Sequence, residues 1–254
     1  MFKHQGPGRS TRENRVVAGC LAMVGGYVNS AGFILIGTFT SHVTGNVGRL
    51  SNDLASGQLA ATATAFTMLI AFFTGAFVAS MILESSFFGR RANGYAAALF
   101  TESVLLLLFM GVATLTPEAH PRLRDLEAAI LCASMGMQNS LVTRLSGAVV
   151  RTTHLTGVFT DLGIEGARWF RWWRGTLSAR LRVKLAFGRN PPERPAGAKT
   201  ELLMTIAVSF VVGAIAGAGA GVRLRHLAMV LPSLAVAALG VYAVASDRSS
   251  RDEA

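Results

Sequence analysis

The run LAATATAFTMLIAFFTGAFVASMIL, residues 59–83, contains no Asp, Glu, Lys or Arg. A helix rises about 1.5 Å per residue, so about 20 apolar residues cross the hydrocarbon of a bilayer. This stretch is long enough to span, and it has company. Val16–Gly37, Gly94–Leu115, Leu126–Val142, Glu201–Val222 and Leu224–Ala245 are of the same kind, with Leu126–Val142 the shortest and most polar. The composition agrees: 51% of the 254 residues are hydrophobic, 15% are charged, and the mean hydropathy is +0.44. Soluble domains carry about 25% charged residues. So little polar surface cannot wrap a water-soluble core, which excludes a soluble enzyme, a disordered regulator and a disulfide scaffold. The expected class is an all-α integral membrane protein.

Basic residues give the orientation. Lys3, Arg9, Arg12 and Arg15 precede the first apolar segment, which is too long for a signal-peptide core and ends without a small-residue cleavage site. It is therefore expected to be a retained span. With six spans and a cytoplasmic N-terminus, the inner loops carry 19 Lys and Arg and the outer loops 5. That asymmetry predicts a plasma-membrane protein with both termini in the cytoplasm. Eleven basic residues fall between Arg144 and Lys199, around Arg168-Trp169-Phe170-Arg171-Trp172-Trp173-Arg174. Interleaved Trp and Arg suit an interfacial helix on anionic lipid better than a nucleic-acid or partner site. Cys20 and Cys132 lie inside apolar segments with no CxxC or His neighbour, and read as small hydrophobes.

The chain also repeats itself. Gly26-Tyr-Val-Asn29-Ser30 recurs as Gly136-Met-Gln-Asn139-Ser140, and Thr40-Ser-His42-Val-Thr44-Gly45 recurs as Thr152-Thr-His154-Leu-Thr156-Gly157. A weaker match pairs Phe72-Phe-Thr-Gly75-Ala76 with Phe210-Val-Val-Gly213-Ala214. The offsets are 110, 112 and 138, so the Trp-rich stretch is an insertion in the second copy. Each copy has three long segments and one short one, His42–Ser56 or His154–Ala167. The first short segment includes Arg49 and Asp53 and is too short to cross, so re-entrant or half-length helices are expected. Three crossings per copy place the copies in opposite orientations. The expected architecture is about six transmembrane helices plus two short half-helices, in two inverted three-span repeats. The expected layout is a basic N-terminus (1–15), a first repeat (16–115), a second repeat (126–245) with its insertion at about 168–199, and a cytoplasmic tail (246–254).

Gly26-Tyr-Val-Asn-Ser followed by Thr40-x-His-x-Thr-Gly-Asn46 resembles the YoaK-like family of bacterial membrane proteins, a domain family of unknown function. Met135-Gly-Met-Gln-Asn139, Val150-Arg-Thr-Thr-His154-Leu-Thr-Gly157 and Thr160-Asp161-Leu162 resemble it too. The resemblance runs from about residue 15 to 245, and departs from the family in the Trp-rich insertion and in His42, where Asn is frequent. It implies a multi-span bacterial inner-membrane protein, and supplies no substrate, cofactor or catalytic residue.

Irregular backbone survives in hydrocarbon only inside protein or beside water. A half-helix starting near Thr44-Gly45 or Thr156-Gly157 would turn free N–H groups and a positive dipole end inward. The Thr hydroxyls would then cap the helix or face a solute. The candidate solute-binding residues are Asn29, Ser30, Thr40, His42, Thr44, Gly45 and Asn46, with Gln138, Asn139, Ser140, Thr152, His154, Thr156 and Gly157 from the second copy. Their competing role is hydrogen bonding between spans. Glu102, an ionisable group inside the third span, is the candidate for proton coupling. No metal cluster, cofactor fingerprint, P-loop or nucleophile elbow is present, so neither cofactor nor enzyme activity is expected. The glycines at 213, 217, 219 and 221 suit close packing between spans, and a homo-oligomer stays open. The reading is a transporter or facilitator of a small polar or anionic solute. The alternative is a membrane scaffold or partner-binding protein acting through the Trp-rich stretch.

Overall fold

The computed structural model describes residues 11–85, 87, 91–115, 121–145, 155–180 and 193–249. Every regular element among them is helical. The order is α1 (Thr11–Ile36), α2 (Val43–Ala55), α3 (Leu59–Glu84), α4 (Arg91–Leu115), α5 (Pro121–Leu145), α6 (Leu155–Arg180), α7 (Gly197–Leu224) and α8 (Val230–Ser249). A short 3-10 turn, Arg225–Met229, joins α7 to α8.

Five of the long apolar segments each fall on one long helix, α1, α3, α4, α5 and α7; the sixth, Leu224–Ala245, begins at the end of α7 and crosses the 3-10 turn into α8. Four stretches are long and apolar enough to cross a membrane: Arg15–Ile36, Leu59–Glu84, Asn93–Thr114 and Gly197–Ala245, the last containing both α7 and α8. Helix α5 is long enough but too polar to join them, because Arg124, Asp125 and Glu127 open it and Gln138, Asn139, Ser140 and Arg144 close it. Of the two short segments, only α2 stays short. Leu155–Ala167 is the first half of α6, which continues without a break through the Trp-rich stretch to Arg180. The Trp-rich stretch is thus helical up to Arg180, as its composition suggests, and is continuous with the short segment rather than separate from it.

Glycines set the closest contacts. A Cβ on Gly26 of α1 would lie 2.1 Å from the Phe210 carbonyl oxygen of α7, and one on Gly213 would lie 2.0 Å from that of Met23. On α5 and α3, a Cβ on Gly136 would meet the Phe72 oxygen at 2.0 Å and one on Gly75 the Ala133 oxygen at 1.9 Å. Gly26 and Gly136 are equivalents in the duplication, and so are Gly75 and Gly213. Each copy's first helix therefore packs on the third-segment helix of the other copy, backbone against backbone. Such approach, closed by van der Waals and Cα–H···O contacts, is how helices associate where water supplies no driving force.

The contacts also give directions. Along α1 and α7 they climb together, from the Arg15–Glu201 ion pair through Gly19–Thr205 and Tyr27–Gly217 to Ile34–Gly221, so the two are parallel. Helices α3 and α5 are parallel as well: Thr64–Asp125, Phe72–Gly136, Ser80–Ser140, Glu84–Arg144. By contrast α1 and α5 run antiparallel, with Leu21 beside Gln138 and Gly32 beside Leu131. So do α4 and α8, where Ser103 bonds Ser233 and Phe100 covers Gly240.

The outside is apolar. Helix α3 exposes Phe66, Ile70, Phe73 and Phe77, and α7 exposes Met204, Val208, Val211 and Ile215, each 138 residues later. Contiguous apolar faces of this size mark a surface that meets lipid rather than water. The buried core is also apolar, around Leu21, Val28, Leu99, Leu106, Phe109, Leu131 and Met135.

Candidate functional site

Helix α1 stops at Gly37, whose φ of 75° is the left-handed conformation that ends helices, and Gly57 (φ 70°) ends α2 the same way. From Gly37 the chain folds back on α1. Phe39 stacks on Phe33 with ring centroids 4.3 Å apart. The Asn29 carboxamide oxygen accepts from the Ser41 backbone N–H at 3.1 Å and from the Ser41 hydroxyl at 3.0 Å. Asn29 thereby holds the turn that launches α2.

The cap of α2 differs from the expectation. His42, not a threonine, occupies the N-cap position, and no side chain caps the helix. The His42 ring lies over the first turn, where a Cβ on Gly45 would meet Nδ1 at 2.4 Å. Gly45 is therefore the seat of the imidazole. Thr44 is exposed and free of a capping role.

These elements border a cavity of about 840 Å³. Asn29 comes from α1, Phe39, Ser41 and His42 from the turn, Val43 and Thr44 from α2, and Phe72, Ala76 and Ser80 from α3. The second copy adds Asn139, Ser140, Thr143 and Arg144 from α5, Leu155 and Thr156 from α6, and Phe210 from α7. Asn29 and Asn139, Val43 and Leu155, Thr44 and Thr156, and Phe72 and Phe210 are equivalent pairs of the duplication. Phe72 and Phe210 both stand midway along their helices, so the cavity reaches the middle of the span.

Its chemistry is polar on one side and aromatic on the other. The amino-terminal turns of α2 and α6 both border it, and the first N–H groups of a helix have no partner within it. The Ser80 and Ser140 hydroxyls bond each other at 2.9 Å. Asn139 donates to the Met135 carbonyl at 2.8 Å, and Thr143 donates to the Asn139 carbonyl at 2.7 Å. Arg144 forms an ion pair with Glu84 at the end of the α3–α5 contact. Among the described residues the lining includes this one formal cation, paired with Glu84, and no carboxylate. At the equivalent end of α1 and α7 an apolar contact, Ile34 on Gly221, replaces the ion pair.

The structure thus gathers six of the candidates, Asn29, His42, Thr44, Asn139, Ser140 and Thr156, around one cavity. Thr152 and His154 lie outside the described residues. The lining does not include Ser30, Thr40, Gly45, Asn46, Gln138 or Gly157. Gln138 is fully buried and donates to the Leu21 carbonyl at 3.1 Å, the interhelical role that competed with solute binding. Thr40 and Asn46 are buried in packing. Phe72 and Phe210 were visible in the third repeat match, whereas Ser80, Thr143 and Arg144 had no motif to mark them. Glu102 is fully buried in α4 and does not line the cavity. No group of three or more His, Cys, Asp or Glu suited to a metal ion occurs among the described residues.

The helix bundle, with its long apolar helices and apolar exterior, is that of a multi-span membrane protein. The chain belongs to the family of proteins of unknown function designated DUF1275, whose model matches residues 17–243. No curated protein and no solved structure matches it.

Proposed function

We propose that the protein is a transporter or facilitator of a small polar or anionic solute in the bacterial inner membrane. The observation that carries this reading is the cavity lined by equivalent residues of both copies at mid-span. The antiparallel courses of α1 and α5 and of α4 and α8 support an inverted repeat, with a pseudo-two-fold axis in the membrane plane. That arrangement lets one central site face either side in turn. Among the described residues, two helix amino-termini and the Arg144 guanidinium, which a solute would share with Glu84, with no lining carboxylate, favour an anion. The 19-to-5 distribution of basic residues supports cytoplasmic termini. Thermal melting of the purified protein against acetate, lactate, succinate, benzoate and phosphate, each beside a neutral analogue at equal ionic strength, tests the reading. Stabilisation by one anion class, lost in Arg144→Gln, followed by flux of that anion in liposomes, is the expected result. Stabilisation by none, with no flux, removes the anion-transport reading.

A membrane-surface role for α6 has its own observation. Phe170, Trp173 and Leu177 are exposed along one stripe, beside Arg171 and Arg174. The opposite face is tied to α7: Lys199 reaches Glu165 at 3.5 Å, Trp169 Nε1 donates to the Thr200 hydroxyl at 3.1 Å, and the Arg194 guanidinium stacks on Trp169 and Trp172. This surface suits anionic lipid headgroups, and would equally anchor a scaffold. Quenching of Trp173 fluorescence by brominated lipid, stronger in phosphatidylglycerol than in phosphatidylcholine vesicles, supports lipid contact; equal, weak quenching in both opposes it.

A further inference from the structure

Glu102 occupies the centre of the buried seam of α4, between Leu99 and Leu106, with no exposed surface. Neither of its carboxylate oxygens has a hydrogen-bond partner. The spans Gly94–Leu115 and Leu126–Val142 contain no Lys or Arg to neutralise it. An ionised carboxylate in such surroundings is costly until a counter-charge joins it.

Helices α4 and α5 pack together as consecutive elements. Glu102 and Ser134 each stand one residue from the midpoint of their helix. Ser134 is fully buried and its hydroxyl has no partner. Gln138, one turn further along α5, is fully buried too; its amide nitrogen bonds Leu21, while its side-chain oxygen has no partner. Two carboxylate oxygens, a hydroxyl oxygen and an amide oxygen are thus left without partners at neighbouring levels of one helix pair.

We propose that Glu102, Ser134 and Gln138 bind a sodium ion, at a site separate from the cavity. A proton on Glu102 would occupy one of these oxygens and leave the others as they are. A hard monovalent cation takes several oxygen donors at once, and a single carboxylate balances its charge. A hard divalent ion would retain a charge that the single buried carboxylate leaves unbalanced, and soft metals draw on thiolate or imidazole. His226 also has a buried Nδ1 without a partner, but it stands against Phe109, seven residues along α4 and about 10 Å away.

The test is melting of the purified, full-length protein in sodium, potassium or choline chloride at equal ionic strength. Wild type should melt about 5 °C higher in sodium than in the other two salts. Glu102→Gln should abolish the difference, and Ser134→Ala should raise the sodium concentration for half-maximal stabilisation by about tenfold. Should Glu102→Gln fail to fold, Ser134→Ala and direct binding of radioactive sodium to wild type decide the matter. Identical melting of wild type in all three salts overturns the site, as does a full sodium response in both variants. No solute is present in this measurement, so its failure leaves the cavity reading intact, and failure of the anion panel leaves the sodium site intact.

Discussion

Replacing Gly26, Gly75, Gly136 or Gly213 by Ala adds one methyl group where there is no room for it. The new Cβ would fall 1.9–2.1 Å from a carbonyl oxygen of the facing helix, whereas ordinary contact begins near 3.4 Å. The opposing atom is backbone in all four cases, so no side chain can swing aside, and the helices must part by roughly 1.4 Å. A gap of 0.5–1 Å already forfeits about a quarter to a half of each dispersion contact along the seam. Overpacking of this kind costs about 1–3 kcal/mol. For a chain of this size that lowers the melting temperature by about 2–12 °C. Gly219→Ala in α7 is the control: contrary to the expectation of close packing there, nothing lies within 4 Å of its Cβ, and Ala favours a helix over Gly by about 1 kcal/mol. Thermal melting in detergent should show the four seam variants falling and Gly219→Ala unchanged or rising. Because the two seams are equivalent, Gly26→Ala and Gly136→Ala should fall by similar amounts. Seam variants that melt with wild type would refute the packing argument.

Other consequences are simpler to state. Thr44→Val and Thr156→Val, which keep shape and remove a hydroxyl, should change melting by less than about 1 kcal/mol but abolish stabilisation by the anion that binds wild type. Asn29→Ala strands two donors of Ser41 and should cost about 1–3 kcal/mol in a thermal melt, with loss of ligand response because the turn before α2 loosens. Trp169→Phe removes the bond to Thr200 and should cost about 0.5–1.5 kcal/mol, with cavity ligand binding unchanged.

Much of the fold could be read from hydropathy because a span must satisfy a length and a composition at once. The duplication could be read because its landmarks are glycines, asparagines and threonines, which are hard to replace at close backbone contacts and in turns. Gly75 and Gly213 appeared in the weakest repeat match, yet they make half of the tightest contacts. Helix α6 reads in the sequence as a short segment and a separate interfacial helix, whereas the structure makes the two continuous. A search for apolar runs cannot see a helix that alternates Trp with Arg, since such a helix gains its stability at a surface and through Glu165, Trp169 and Lys199. Arg144 was legible only as one charge in a basic stretch, because its partner Glu84 lies 60 residues away. Capping by threonine failed because propensity favours Thr at an N-cap, while Gly45 and Phe39 seat His42 there instead.

Opposed orientation of the two copies is the claim on which the central cavity depends, and one labelling measurement tests it. Gln58 and Ala196 are the N-cap residues of α3 and α7, equivalent at an offset of 138, and both are exposed. With Cys20 and Cys132 replaced, Gln58→Cys and Ala196→Cys are treated in sealed cells with a membrane-impermeant thiol reagent. Inverted copies with cytoplasmic termini predict rapid labelling of Gln58→Cys from outside and labelling of Ala196→Cys only after the membrane is opened. Rapid labelling of both from outside, or of neither, would contradict the inversion.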